Sequence, residues 1–186
     1  PGRQRVHTYA AGFAVAPDLV VTAAETVAGA TSVQVQPAGG DLINAEVVRT
    51  DERTGLALLK LTDKKTAYLL VGDSFAGGAV QCAAFPTPNL FEPEPEILAG
   101  SVVIAKDKDE WTTRLGKHPR YSGAPLVAAG KVVGVELGSR DNDMTALPTA
   151  SLAALKAVIG TAVAPGPLVA ADPRQAVAIV SAVREK

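Results

Sequence analysis

Gly12-Phe13-Ala14-Val15-Ala16-Pro17-Asp18-Leu19-Val20-Val21-Thr22-Ala23-Ala24-Glu25-Thr26-Val27 reads as two apolar strands joined by a tight turn. Residues 8–16 form the first, Pro17-Asp18 reverses the chain, and 19–24 return at once. The same pattern continues outward. Residues 32–36 alternate and stop at Pro37-Ala38-Gly39-Gly40, and 43–49 and 56–61 follow. Together these predict one small barrel of about six strands. A polar connection at 63–67 leads to further strand-like runs at 68–71, 79–85, 96–105 and 111–115. Residues 126–129 and 131–137 flank Gly130 as a hairpin, and 144–147 would close a second barrel.

Composition agrees with an all-β reading. Apolar residues are 47% of the 186 and aromatics only 4%, so the core must be built mainly from Val, Ala and Leu. β-branched residues at this density favour strands. Two helices are expected at the C-terminal end. Thr149-Ala150-Ser151 can cap one through Ile159, stopped by Gly160. Asp172-Pro173 can open another, reaching about Arg184, beyond the linker Ala164-Pro165-Gly166-Pro167. The expected division is a barrel domain over 1–160, then a linker and C-terminal helix over 161–186.

Charge and residue inventory narrow the function. Eighteen basic and 19 acidic residues give a net charge of −1 without a basic patch, which argues against a nucleic-acid or anionic-membrane partner. No apolar stretch reaches the ~18 residues of a membrane span. Cys82 is the only cysteine and sits in the apolar run Val80-Gln81-Cys82-Ala83-Ala84-Phe85, as a buried structural thiol would. Two histidines and one cysteine, widely spaced, make no metal site, and no phosphate-binding glycine loop is present, so no cofactor is expected. Glu92, Glu94 and Glu96 read as a solvated acidic margin of the Pro-rich loop at 86–95. The chain opens at Pro1, which reads as a mature form or a cut-out fragment.

Four segments in order resemble the protease domain of HtrA-type (DegP-like) trypsin-fold proteins. The opening hairpin resembles the strands that lead into Thr-x-x-His-Val, with Glu25 at the place of the catalytic histidine. Asp51-Glu52-Arg53-Thr54-Gly55-Leu56-Ala57-Leu58-Leu59-Lys60 resembles the segment whose second aspartate orients that histidine, and Gly55 stands there. Leu70-Val71-Gly72-Asp73-Ser74 and Leu98-Ala99-Gly100-Ser101-Val102-Val103 resemble the opening of the second barrel. Pro119-Arg120-Tyr121-Ser122-Gly123-Ala124-Pro125-Leu126-Val127 resembles the nucleophile loop Pro-Gly-Asn-Ser-Gly-Gly-Pro-Leu-Val. Ser122 falls on the nucleophile, and Arg120 replaces the glycine whose N–H helps form the oxyanion hole. Gly72-Asp73-Ser74 is a decoy, because it continues Phe75-Ala76 and not Gly-Gly-Pro. The resemblance covers roughly residues 6–160 and implies an all-β trypsin-like (chymotrypsin) fold of two six-stranded barrels, with a C-terminal helix or two.

The substitutions bear on chemistry. A serine hydroxyl needs a base that takes its proton and later returns it to the leaving amine. Histidine titrates at ~6.5 and glutamate at ~4.3, a deficit of about two units or roughly 3 kcal/mol. Gly55 offers no side chain to orient Glu25. His118 shares a loop with Ser122 and would approach from the wrong barrel, and His7 lies near the first strand as a packing or solvated residue. Arginine resists the backbone angles that glycine accepts, so Arg120 predicts a collapsed or flipped oxyanion loop; one lost oxyanion donor costs ~100- to 1000-fold.

The leading expectation is therefore a pseudoprotease of extracytoplasmic (periplasmic or secreted) bacterial origin, the location implied by the resemblance alone. It would bind a protein or extended peptide, or serve as a scaffold beside further domains of the same chain. The alternative is a residual or acid-active hydrolase pairing Ser122 with Glu25, as sedolisins pair serine with glutamate.

Overall fold

A computed structural model describes residues 2–87, 92–107, 110–138, 146–160 and 169–185. Twelve strands close into two six-stranded antiparallel barrels. In the first, β1 (Arg5–Ala16) and β2 (Leu19–Ala23) form the opening hairpin. β3 (Ser32–Pro37), β4 (Ile43–Asp51) and β5 (Leu56–Leu61) continue the barrel, with β5 returning against β2. The second barrel holds β6 (Gly78–Ala84), β7 (Glu96–Ala105), β8 (Glu110–Leu115), β9 (Ala124–Ala128), β10 (Lys131–Glu136) and β11 (Leu147–Ala150). These strands match the sequence reading closely, with two differences. Residues 68–71 make only isolated bridges, Tyr68 to Val169 and Val71 to Val132. The strand expected at 144–147 lies at β11, and 144–145 fall outside the described residues.

The opening hairpin is apolar at nearly every position because both of its faces are buried. Ala10, Ala14 and Val20 point into the first barrel with Leu59 and Val180. Phe13, Val15 and Val21 face the other way and join Leu56 and Leu58 in the larger core, which continues into the second barrel through Leu126 and Val135. A short helix, α1 (Ala24–Val27), follows β2 and carries Glu25 at the seam. Helix α2 (Leu152–Ile159) forms as predicted: the Ser151 hydroxyl accepts from the Ala154 N–H, and Gly160 ends it at φ +69°. Arg49 Nη1 donates to the Val158 carbonyl oxygen at 3.1 Å, tying β4 to the end of that helix.

The helix expected from Asp172 to Arg184 is corrected. Asp172 does cap a turn, accepting from Arg174 N–H while Gln175 reaches back, but the turn is a single 3-10 turn, Pro173–Gln175. Val177–Glu185 is a strand, β12. It lies between β1 and β3, in register from Arg5 opposite Glu185 to Phe13 opposite Val177. The first barrel therefore takes five strands from the start of the chain and its sixth from the end. Val177, Ile179 and Val180 supply the β-branched residues that such a doubly buried strand needs.

Candidate functional site: the groove between the barrels

Gly123 fixes the loop that carries Ser122. Its φ is +108°, and a Cβ there would lie 2.1 Å from the carbonyl oxygen of Ala11, so only glycine fits. The Gly123 N–H donates to the Glu136 carbonyl oxygen at 2.7 Å, and the Ala11 N–H donates to the Ser122 carbonyl oxygen at 2.9 Å. The loop is thus held by the second barrel on one side and by β1 on the other.

The Ser122 hydroxyl lies within hydrogen-bond distance of two carbonyl oxygens of the strand exit after β10, Gly138 at 3.0 Å and Leu137 at 3.3 Å. It makes no hydrogen bond to Glu25 or to His118 among the described residues. Arg120 adopts φ +72°, the left-handed conformation that glycine takes freely. Its N–H donates to His118 Nδ1 at 3.0 Å, and the Tyr121 N–H donates to the Pro119 carbonyl oxygen. The Arg120 guanidinium lies 5.6 Å from the Tyr121 ring centre, a cation–π distance. One ring nitrogen of His118 is thereby engaged by its own loop.

Glu25 is exposed on α1. Gly55 holds φ +80°, and its carbonyl oxygen accepts from the Ala24 N–H at 2.8 Å, which anchors the start of α1. A Cβ at Gly55 would stand 3.0 Å from Leu137 Cδ1. The leucine that follows Glu136 therefore fills the space into which an orienting side chain would extend. Arg184 of β12 donates through Nη2 to the carbonyl oxygens of Glu25 and of Thr26, the latter at 3.2 Å. The late strand thus reaches the seam as well as closing the barrel. Composition and motif matching gave no sign of this contact; the only cue in the sequence is a basic residue near the end of a Val-rich run.

Glu25, Gly55, Ser122, Leu137 and Arg184 line one groove of about 780 Å³ between the barrels, and Arg120 and His118 lie outside its lining. Glu25, Glu52, Val27 and Val47 come from the first barrel, and Ser122 and Leu137 from the second.

Glu136, which sequence reading passed over, is fully buried. Neither of its carboxyl oxygens makes a hydrogen bond of good geometry. Burial pushes its pKa well above the usual carboxylate range, and the nearby Gly138 amide draws it back only in part. Cys82 is buried as expected, and burial together with the neighbouring Glu136 raises its pKa too, which keeps the thiol protonated. Glu96 pairs with the exposed Lys117 at 3.2 Å.

Two closed barrels with this loop between them define a trypsin-like domain. The trypsin-like peptidase domain family matches residues 10–135, more than half of the chain, and the chain belongs to that family. No curated protein matches it.

Proposed function

We propose that this chain is a non-hydrolytic trypsin-like domain, nearest in pattern to the HtrA type, whose groove binds a protein or extended peptide. The observation that carries the reading is the position of the Ser122 hydroxyl. It faces the carbonyl oxygens of Gly138 and Leu137, which hold its proton but do not take it. Three further features support it. A carboxylate stands at position 25 where the resemblance expects an imidazole, and carboxylates are by type the weaker bases. Leu137 fills the space beside Gly55. The Arg120 N–H is spent on His118. The groove itself persists at about 780 Å³, a size suited to a bound side chain and its flanking main chain. A scaffold role within a longer, extracytoplasmic protein is compatible with the same binding function.

A fluorophosphonate probe applied from acid to alkaline pH tests the chemistry. No labelling is expected; stoichiometric labelling of Ser122 would overturn the reading, and labelling confined to acid pH would favour a Ser122–Glu25 hydrolase. Saturable binding of extended peptides to the folded domain tests the second half.

A further inference from the structure

We infer that the groove takes an extended, basic peptide as an added strand on the open edge of β4, with a lysine or arginine side chain between Glu25 and Glu52. This rests on the peptide-binding reading above and names its ligand class.

β4 meets β3 only through Ile43, Asn44 and Ala45. From Glu46 onward its sole strand partner among the described residues is β5. None of the main-chain groups of residues 46–50 hydrogen-bonds outside that ladder among the described residues. An open strand edge is a template for another chain, and proteins usually blunt it with charge or cover it. Here Val47 stands 41% exposed along it, and Val48, 52% exposed, sits at an irregularity in the pairing with β5. The edge is also beside the groove, because Val47 and Thr50 line it. A peptide pairing there would cover Val47 and run past Ser122 and Leu137.

Charge selects the occupant. Glu25 and Glu52 both line the groove and both are exposed. Neither takes part in an ion pair among the described residues. The cation that lines the groove, Arg184, is turned onto the carbonyl oxygens of Glu25 and Thr26. Arg184 keeps its charge there, so the lining carries two carboxylates against one guanidinium, a net negative charge that favours a cation brought by the ligand. An acidic side chain placed there would be repelled.

The test is a library of end-blocked nonapeptides of β-favouring residues, with lysine, norleucine or glutamate at the centre, screened against the intact domain. Lysine peptides are expected to bind about 10-fold more tightly than glutamate peptides, with the preference fading at high salt. Glu25→Gln and Glu52→Gln, both at exposed positions, should each reduce the lysine preference several-fold. N-methylation of alternate peptide amides should abolish binding. Binding without charge preference, a preference unchanged in both variants, or full tolerance of N-methylation would overturn the inference while leaving peptide binding standing. Absence of binding by every peptide would overturn both.

Discussion

The Ser122 hydroxyl lies 3.0 Å from the carbonyl oxygen of Gly138, two residues past the buried Glu136. The residue that looks most like a nucleophile is thereby tied into the backbone of its own barrel. Its neighbours across the groove serve the backbone: Glu25 lies on α1, and Gly55 holds φ +80° with its carbonyl oxygen accepting from the Ala24 N–H.

Placing histidine at position 25 and aspartate at position 55 should not produce hydrolysis. In Glu25→His/Gly55→Asp, the new aspartate must adopt φ near +80° with its Cβ 3.0 Å from Leu137 Cδ1. Gly55→Asp alone is expected to cost about 1–3 kcal/mol in denaturant unfolding. The double variant should show no turnover of a fluorogenic protein substrate, since the Arg120 N–H still faces His118. Measurable turnover would sink this expectation.

Arg120 stores backbone strain that a matched pair of variants can separate from its side-chain contacts. Arg120→Ala and Arg120→Gly lose the same contact with Tyr121, but only glycine accepts φ +72° freely. The alanine variant should be less stable than the glycine variant by about 1 kcal/mol. Equal stabilities would mean that the loop relaxes out of the left-handed conformation.

Glu136 should make stability depend on pH. Its folded pKa is raised, so it contributes fully only below the unfolded value of about 4.3 and opposes folding progressively as pH rises toward the folded value. Glu136→Gln removes that titration. Wild type and variant should melt closest together near about pH 4, and the wild type should fall behind the variant by about pH 8. Parallel melting curves at both pH values would show that Glu136 does not titrate in this window.

β12 should be indispensable. A chain ending at Gly160 loses the strand that pairs with both β1 and β3. Two long apolar edges are then exposed, and aggregation or a molten first barrel is expected in place of cooperative unfolding. Cooperative melting of the truncated chain by circular dichroism would contradict this.

Much of the fold was legible because strand signals are local. The hairpin at Pro17-Asp18, the run Leu56–Leu61 and the Ser151 cap of α2 each depend on residues close in sequence, and each is found where expected. The site was legible only as positions: Glu25, Gly55 and Ser122, picked out by motif order, line the groove, and Arg120 does not. Their geometry could not be read that way, because it depends on Leu137, Gly138 and His118, which come near through folding.

The C-terminal segment shows the division most clearly. By itself the sequence determined a cap at Asp172 and a β-branched run after it, and that Glu25 and Gly55 are the residues at the positions where the resemblance expects histidine and aspartate. Capping is a contest over a few neighbouring N–H groups, so it sets where a turn begins and not how far a helix runs. What Val177–Glu185 became was decided by tertiary structure, since β1 and β3 present unpaired edges over an apolar interior that only a sixth strand satisfies. The same closure carries Arg184 to the carbonyls of α1, and the carboxylates of Glu25 and Glu52 line the groove with no ion-pair partner among the described residues.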